Sequence, residues 1–130
     1  MEKQIAQIRE FHTTYGQPVL DTPTIPTKER CMLRVDLLSE EVREFNEAIA
    51  ENDIVGVADA LTDIAYVLLG AVHEFGLGEI FEKCFDEVHS SNMSKLDENG
   101  KPIYREDGKV LKGPNYFKPN LQKILTEVNE

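Results

Sequence analysis

Five carboxylates define the chemistry open to this chain. Glu40, Glu41 and Glu44 lie in one stretch, and Asp59 and Asp63 in the next. Within each stretch they stand about one helical turn apart, so each helix can aim its acids one way. Carboxylates gathered like this make a hard-oxygen site. Magnesium prefers such ligands and retains waters, and manganese is the alternative. A cation held there neutralises phosphate oxygens and acidifies water, and a spare carboxylate accepts the proton. Lysines opposite would hold the remaining phosphate charge. Together these parts fit hydrolysis of a nucleoside polyphosphate. No Cys or His cluster points to zinc, no P-loop is present, and nothing indicates a serine or cysteine nucleophile.

Two helices must position those acids. They span Leu33 to Glu74 and are joined by the break Glu51-Asn52-Asp53. In the second, Ile54, Val55, Val57, Leu61, Ile64, Val67, Leu68, Leu69 and Val72 go nearly all the way round at 3.6 residues per turn, which predicts a core helix. Asp59 and Asp63 interrupt it on one face, which Gly70 continues. A carboxylate buried in such a helix is costly unless it is paired or bound to metal; the alternative is a narrow solvent stripe. In the first helix, Val35, Leu38, Val42, Phe45 and Ile49 form an apolar stripe widened by Leu37 and Ala48. Glu41 falls inside that arc and Glu44 at its edge. Glu40, Glu47 and Glu51 project further out, as a solvated face would.

The 130 residues suit one domain with a real core. We expect a helical core at about 28–90 and a substrate-facing tail at about 91–130. A net charge of −10 argues against nucleic-acid polymers and anionic membranes as partners. Cys31 and Cys84 lack a metal-site spacing and read as reduced core thiols. Met1-Glu2-Lys3-Gln4 opens no signal peptide, and no apolar run is expected to reach membrane-spanning length, so the cytoplasm is the default.

In chain order, Ile5, Ile8 and Phe11 predict a short first helix, followed by His12 and Tyr15. His12 is more often a packing residue than a catalytic one, and a contact to a nucleobase is the functional alternative. Pro18, Pro23 and Pro26 make the 16–26 segment an ordered loop or extended arm. Thr27 caps a helix from about Lys28 to Ala50, with Glu29 in its first turn. Asn52 or Asp53 caps the next, which Gly76 and Gly78 end. Ile80, Phe81, Cys84, Phe85 and Val88 mark the buried face of a fourth helix. After His89 the sequence turns polar and loses its period. Asn99-Gly100 and Asp107-Gly108 are turn pairs, and the second predicts a small β-hairpin at about 102–112. A last helix is expected from Asn120 to about Val128. Half of the 14 basic residues fall in the tail. Taken with Asn92, Lys95 and Lys112 suggest a phosphate-facing wall.

Two motifs are familiar. Glu40-Glu41-Val42-Arg43-Glu44, followed by Asp59-Ala60-Leu61-Thr62-Asp63-Ile64-Ala65-Tyr66, resembles the all-α nucleotide pyrophosphohydrolases, which include MazG, dimeric dUTPases and phosphoribosyl-ATP pyrophosphohydrolase. The tail, from His89 to Leu96 and from Gly108 to Tyr116, looks like the MazG-like branch. The likeness runs from about Phe11 onward. It implies an all-α antiparallel helical bundle and magnesium-dependent cleavage of a nucleoside triphosphate to a monophosphate and pyrophosphate. Glu41 and Glu44 are implied as metal ligands, with Glu40 beside them in the catalytic set. The family's second motif carries a glutamate three residues before an aspartate. Asp63 matches the aspartate, Ala60 stands where the glutamate would be, and Asp59 is the substitute ligand. Asn92, Lys95, Lys112, Tyr116 and His12 are the candidate substrate contacts, and a homodimer or homotetramer is implied. Two alternatives stand beside this. One is a non-catalytic helical binding or assembly module, which Ala60 permits. The other is phosphoribosyl-ATP hydrolysis, whose short relatives are not expected to carry this lysine-bearing tail.

Overall fold

The computed structural model describes residues 1–128. It is all-α apart from one short hairpin, and it falls into two compact units, Met1–Glu79 and Ile80–Glu130.

The first unit holds α1 (Glu2–Thr14), α2 (Lys28–Ala50) and α3 (Ile54–Glu74). The Thr27 side chain accepts from the Arg30 N–H, and Asp53 accepts from the Gly56 N–H, so both long helices start on a side-chain cap. Asn52 carries the left-handed backbone of the break between them, at φ 53°. With so short a connection α2 and α3 are antiparallel neighbours, and α1 lies against α3. The proline-rich arm is ordered by two backbone bonds to the end of α3: Leu20 N–H to the His73 carbonyl and Thr24 N–H to the Phe75 carbonyl, each 2.9 Å. Gly76 ends α3 at φ +71°, and a Cβ there would meet the Thr22 carbonyl at 1.9 Å. Both its conformation and its space therefore require glycine.

The buried side of this unit differs from the expected one. On α2 the covered stripe runs Arg34, Leu37, Leu38, Glu41, Phe45 and Ala48, while Val35, Val42 and Ile49 are exposed. On α3 the fully buried residues are Ala60, Leu69, Gly70, Val72, His73 and Glu74, with Val57, Asp63, Ile64 and Val67 half-buried. Ile54, Leu61 and Leu68 face outward, as do Val55 and Tyr66. So α3 is not covered all round within one chain. The expectation that no run reaches membrane-spanning length is also corrected. By length and composition alone α3 would suffice, its aspartates being too few to lower the average. It instead packs on α1 and α2 and carries the buried Glu74.

The second unit holds α4 (Phe81–Met93), β1 (Ile103–Tyr104), β2 (Val110–Leu111) and α5 (Leu121–Val128). The strands are antiparallel, with Ile103 opposite Leu111 and Tyr104 opposite Val110. Gly108 turns the hairpin at φ +89°. α4 continues four residues past His89, through Ser90-Ser91-Asn92-Met93, where the polar run suggested its end. Ser91 is buried and its Oγ donates to the Phe117 carbonyl at 2.7 Å. The Phe117 N–H reaches Ser94 Oγ at 3.1 Å, and the Asn120 N–H reaches Glu87 Oε1 at 3.0 Å. Tail packing thus overrides weak helix propensity. Phe85 and Val88, expected on the buried face, are exposed.

Candidate active site

α2 and α3 bring three of the five acids together. One carboxylate oxygen each from Glu41, Glu44 and Asp63 lies within 4.8 Å of the others. Glu41 and Asp63 are half-buried, and Glu44 is exposed. Glu41 Oε2 is buried and has no hydrogen-bond partner among the described residues. A buried, unpartnered carboxylate oxygen on a residue grouped with two further acids is what a hard cation would satisfy, so these residues fit magnesium or manganese. Glu40 and Asp59 are exposed and stand outside the trio. Glu40 still acts on it through its charge. Ala60, one turn before Asp63, is only 2% exposed, so packing fills the place where the family motif carries a glutamate.

The cluster is electrostatically strained. Partial burial, then the adjoining Glu44 carboxylate, then the charges of Asp63 and Glu40 push the Glu41 carboxyl up from 4.5 to about 7. The native state therefore holds that proton more tightly than the unfolded chain does. Glu41's contribution to stability is complete below about 4.5 and is lost as pH rises through about 7. A bound cation competes with the same proton. Magnesium affinity is expected to weaken steadily as pH is lowered from about 8 to about 6, while the metal-free protein becomes more stable over that range. Glu41→Gln should flatten both trends, which calorimetric magnesium titrations and thermal melts at several pH values will show.

Beside the acids lies a cavity of about 360 Å³ lined by Phe11, His12, Tyr15, Gln17, Arg34, Leu37, Tyr66 and Val67. Leu37 precedes Glu41 by four residues on α2, and Val67 follows Asp63 by four on α3. At 1.5 Å per residue the cavity sits roughly 6 Å along both helices from the carboxylates. Phe11 meets the Tyr66 ring edge-on at 5.4 Å and stacks tilted on Tyr15 at 4.7 Å. His12 is buried in this wall. Its Nδ1 lies 2.9 Å from the Pro18 carbonyl, an atom that only accepts, so Nδ1 carries the proton. Burial above all, helped by the Arg34 charge, lowers its pKa and keeps it neutral.

Behind the cavity is an ionic group that the sequence reading missed. Glu74 is 1% exposed and pairs with Arg30 Nε and, at 3.4 Å, with Arg34 Nε. Arg34 Nη2 also donates to the Val67 carbonyl at 3.2 Å. The available signal was Arg30 and Arg34 one turn apart on α2, with Glu74 at the end of the most apolar helix. Of the other expected substrate contacts, four belong to the second unit. Asn92 is exposed near the end of α4, and Lys95 is half-buried just beyond it. Lys112 Nζ lies 4.8 Å from the centre of the Tyr116 ring, a cation–π contact.

The sequence profile of the phosphoribosyl-ATP pyrophosphohydrolase family matches residues 8–92. An uncharacterised protein of Acanthamoeba polyphaga mimivirus is 29% identical over 95% of this chain, which spans about half, 47%, of that protein's length. The crystal structure of a candidate NTP pyrophosphohydrolase from Exiguobacterium sp. 255-15 covers 96% of this chain and 94% of its own, at 27% identity and a TM-score of 0.47.

Proposed function

The chain belongs to the phosphoribosyl-ATP pyrophosphohydrolase family, and from that premise we propose that it cleaves a nucleoside triphosphate to the monophosphate and pyrophosphate with magnesium. The observation that carries this is the grouping of Glu41, Glu44 and Asp63 carboxylate oxygens within 4.8 Å of one another, with Glu41 Oε2 buried and unpartnered among the described residues. Those three would hold the cation, with Asp59 a further ligand one turn away and manganese a substitute metal. When bound, the cation supplies phosphate-charge neutralisation and water activation. Glu40, exposed and outside the trio, is the carboxylate left to take the water's proton. The aromatic cavity receives the nucleoside, His12 included, a short step along α2 and α3 from the acids.

A panel of nucleoside triphosphates with magnesium tests this. Hydrolysis is expected with magnesium, to be lost on chelation, and to return with magnesium or manganese. Ala60, packed where the family glutamate would stand, favours a second proposal, a non-catalytic binding module. Binding without hydrolysis across the panel would establish that one. Hydrolysis confined to phosphoribosyl-ATP would identify the substrate in the family's name.

Asn92, Lys95, Lys112 and Tyr116 are proposed as the tail's substrate contacts. If Lys95 and Lys112 meet phosphate oxygens, Lys95→Ala and Lys112→Ala should each cost roughly 2–4 kcal/mol of transition-state stabilisation, like a lost oxyanion donor. Magnesium affinity without nucleotide should hardly change. Unchanged kcat/KM would remove the tail from the reaction.

The protein is further proposed to be a homodimer or homotetramer. Val35, Val42 and Ile49 on α2, and Ile54, Leu61 and Leu68 on α3, are exposed apolar residues seven apart. That is the spacing by which one helix meets another chain's helix. Light scattering is expected to give an oligomer at micromolar concentration; a folded monomer would contradict it. The cytoplasm is the proposed setting, with Cys31 and Cys84 as free thiols.

A further inference from the structure

The polar groups that line the cavity differ in how firmly they are held. Tyr15 and Tyr66 bring hydroxyls, but these residues are 67% and 41% exposed, so water reaches them. Gln17 is half-buried, and its Oε1 accepts from Arg30 Nη2 at 3.3 Å. His12 is buried and, with Nδ1–H spent on the Pro18 carbonyl, offers the Nε2 acceptor. Arg34 is the buried charged donor. Its side chain is 7% exposed, its Nε lies 3.4 Å from Glu74 Oε2, and its Nη2 donates to the Val67 carbonyl. Its Nη1 makes no hydrogen bond among the described residues, which leaves two N–H donors on a fixed guanidinium in the cavity wall.

A gap in α3 admits that guanidinium. Gly70 lies inside the helix, where glycine costs stability. A Cβ on it would stand 2.2 Å from Arg34 Nη2 and 3.0 Å from His12 Nε2. The space the missing side chain leaves is taken by the guanidinium and the imidazole. Any side chain at position 70 would drive Arg34 off Glu74 or off the Val67 carbonyl.

Resting on the proposal that this cavity receives a nucleoside, we propose that Arg34 is a substrate-binding residue, its Nη1 donating to an acceptor atom on the nucleobase, and that Glu74 and Gly70 position it. Every common base has such an atom, a ring nitrogen in adenine and a carbonyl oxygen in the others. The contact therefore fixes where a base lies and not which base enters. Aromatic walls hold a flat ring by stacking, which leaves it free to slide and turn. A rigid charged donor at one edge removes that freedom, and orientation is what brings a reacting group to its catalyst. Arg34 precedes Glu41 by seven residues, two turns of α2, so it stands roughly 10 Å from the acids along the helix. A base anchored at Arg34 leaves the phosphate end of the nucleotide to reach them.

Equilibrium binding of AMP and UMP to the full chain with magnesium tests this. Arg34→Lys keeps a charge for Glu74 but lacks the fork that reaches Glu74, Val67 and the cavity together. Gly70→Ala displaces the guanidinium while favouring the helix, so it guards against a result caused by misfolding. Both variants are expected to bind AMP and UMP about 10- to 100-fold more weakly than the wild type, the loss of one charge-assisted hydrogen bond. Magnesium affinity without nucleotide is expected to stay unchanged, because Glu41, Glu44 and Asp63 are untouched, and helicity by circular dichroism should be retained. An unchanged nucleotide affinity in either variant, a loss confined to one of the two nucleotides, or no binding of either by the wild type overturns the proposal. So does a parallel loss of magnesium affinity, which would show that Arg34 only braces the helices. Because these probes are not triphosphates, a failure to hydrolyse any nucleotide would overturn the pyrophosphohydrolase assignment separately.

Discussion

Asp63→Asn and Glu41→Gln are each expected to lower magnesium-dependent kcat/KM by about 100-fold or more, beyond the 10- to 100-fold typical of losing a partner outside a metal's own ligands. Each replaces a carboxylate of the trio by a neutral amide of nearly the same shape. The helices should therefore persist. Burial first, and then the neighbouring like charges, hold Glu41's carboxyl up near 7; either change relieves part of that strain, so the metal-free variants should be at least as stable as the wild type at neutral pH. Kinetics across a magnesium titration, with thermal melts alongside, check both halves. Near wild-type turnover at low magnesium in either variant would show that the residue is not a ligand. Asp59→Asn, exposed and outside the trio, should have the smaller effect.

Glu74→Ala is expected to destabilise the fold by about 3–5 kcal/mol, because it leaves two arginine charges facing a buried site without their partner. Arg34 is nearly buried, and Arg30 is about a third exposed, so most of the cost should come from Arg34. The loss should also loosen the junction of α2 with the end of α3, which the 16–26 arm crosses through its bonds to His73 and Phe75. Glu74→Gln keeps an acceptor oxygen and should lose less. Urea unfolding measures both. A loss below about 1 kcal/mol for Glu74→Ala would mean the group is screened by water as a surface pair is.

The bounds of α2 were legible because chemistry marks both ends: Pro26-Thr27 before it and the Asn52-Asp53 break after it. Glu41 and Asp63 were legible because each interrupts an apolar arc, where a charge needs a reason, and Glu44 because it stands at the edge of the same arc as Glu41. What could not be read was which arc faces inward. Val35 and Ile54, 61% and 77% exposed, are as apolar as the residues that are covered, and periodicity cannot tell a core from a surface meant for another chain. The Arg30–Arg34–Glu74 group was hidden for the opposite reason. Charged residues one turn apart usually mean a solvated face, and only the packing of α3 against α2 shows that Glu74 is enclosed. The extra turn of α4 depended on Ser91 meeting the Phe117 carbonyl, 26 residues away.

The central claim is the bond that is broken, and the products of a single reaction test it most directly. A nucleoside triphosphate from the panel should be incubated with the protein and magnesium, and the phosphorus products followed by NMR. One nucleoside monophosphate and one pyrophosphate per triphosphate consumed is the expected result, with neither formed by Asp63→Asn. Release of a nucleoside diphosphate and inorganic phosphate, or no magnesium-dependent cleavage at all, would contradict it.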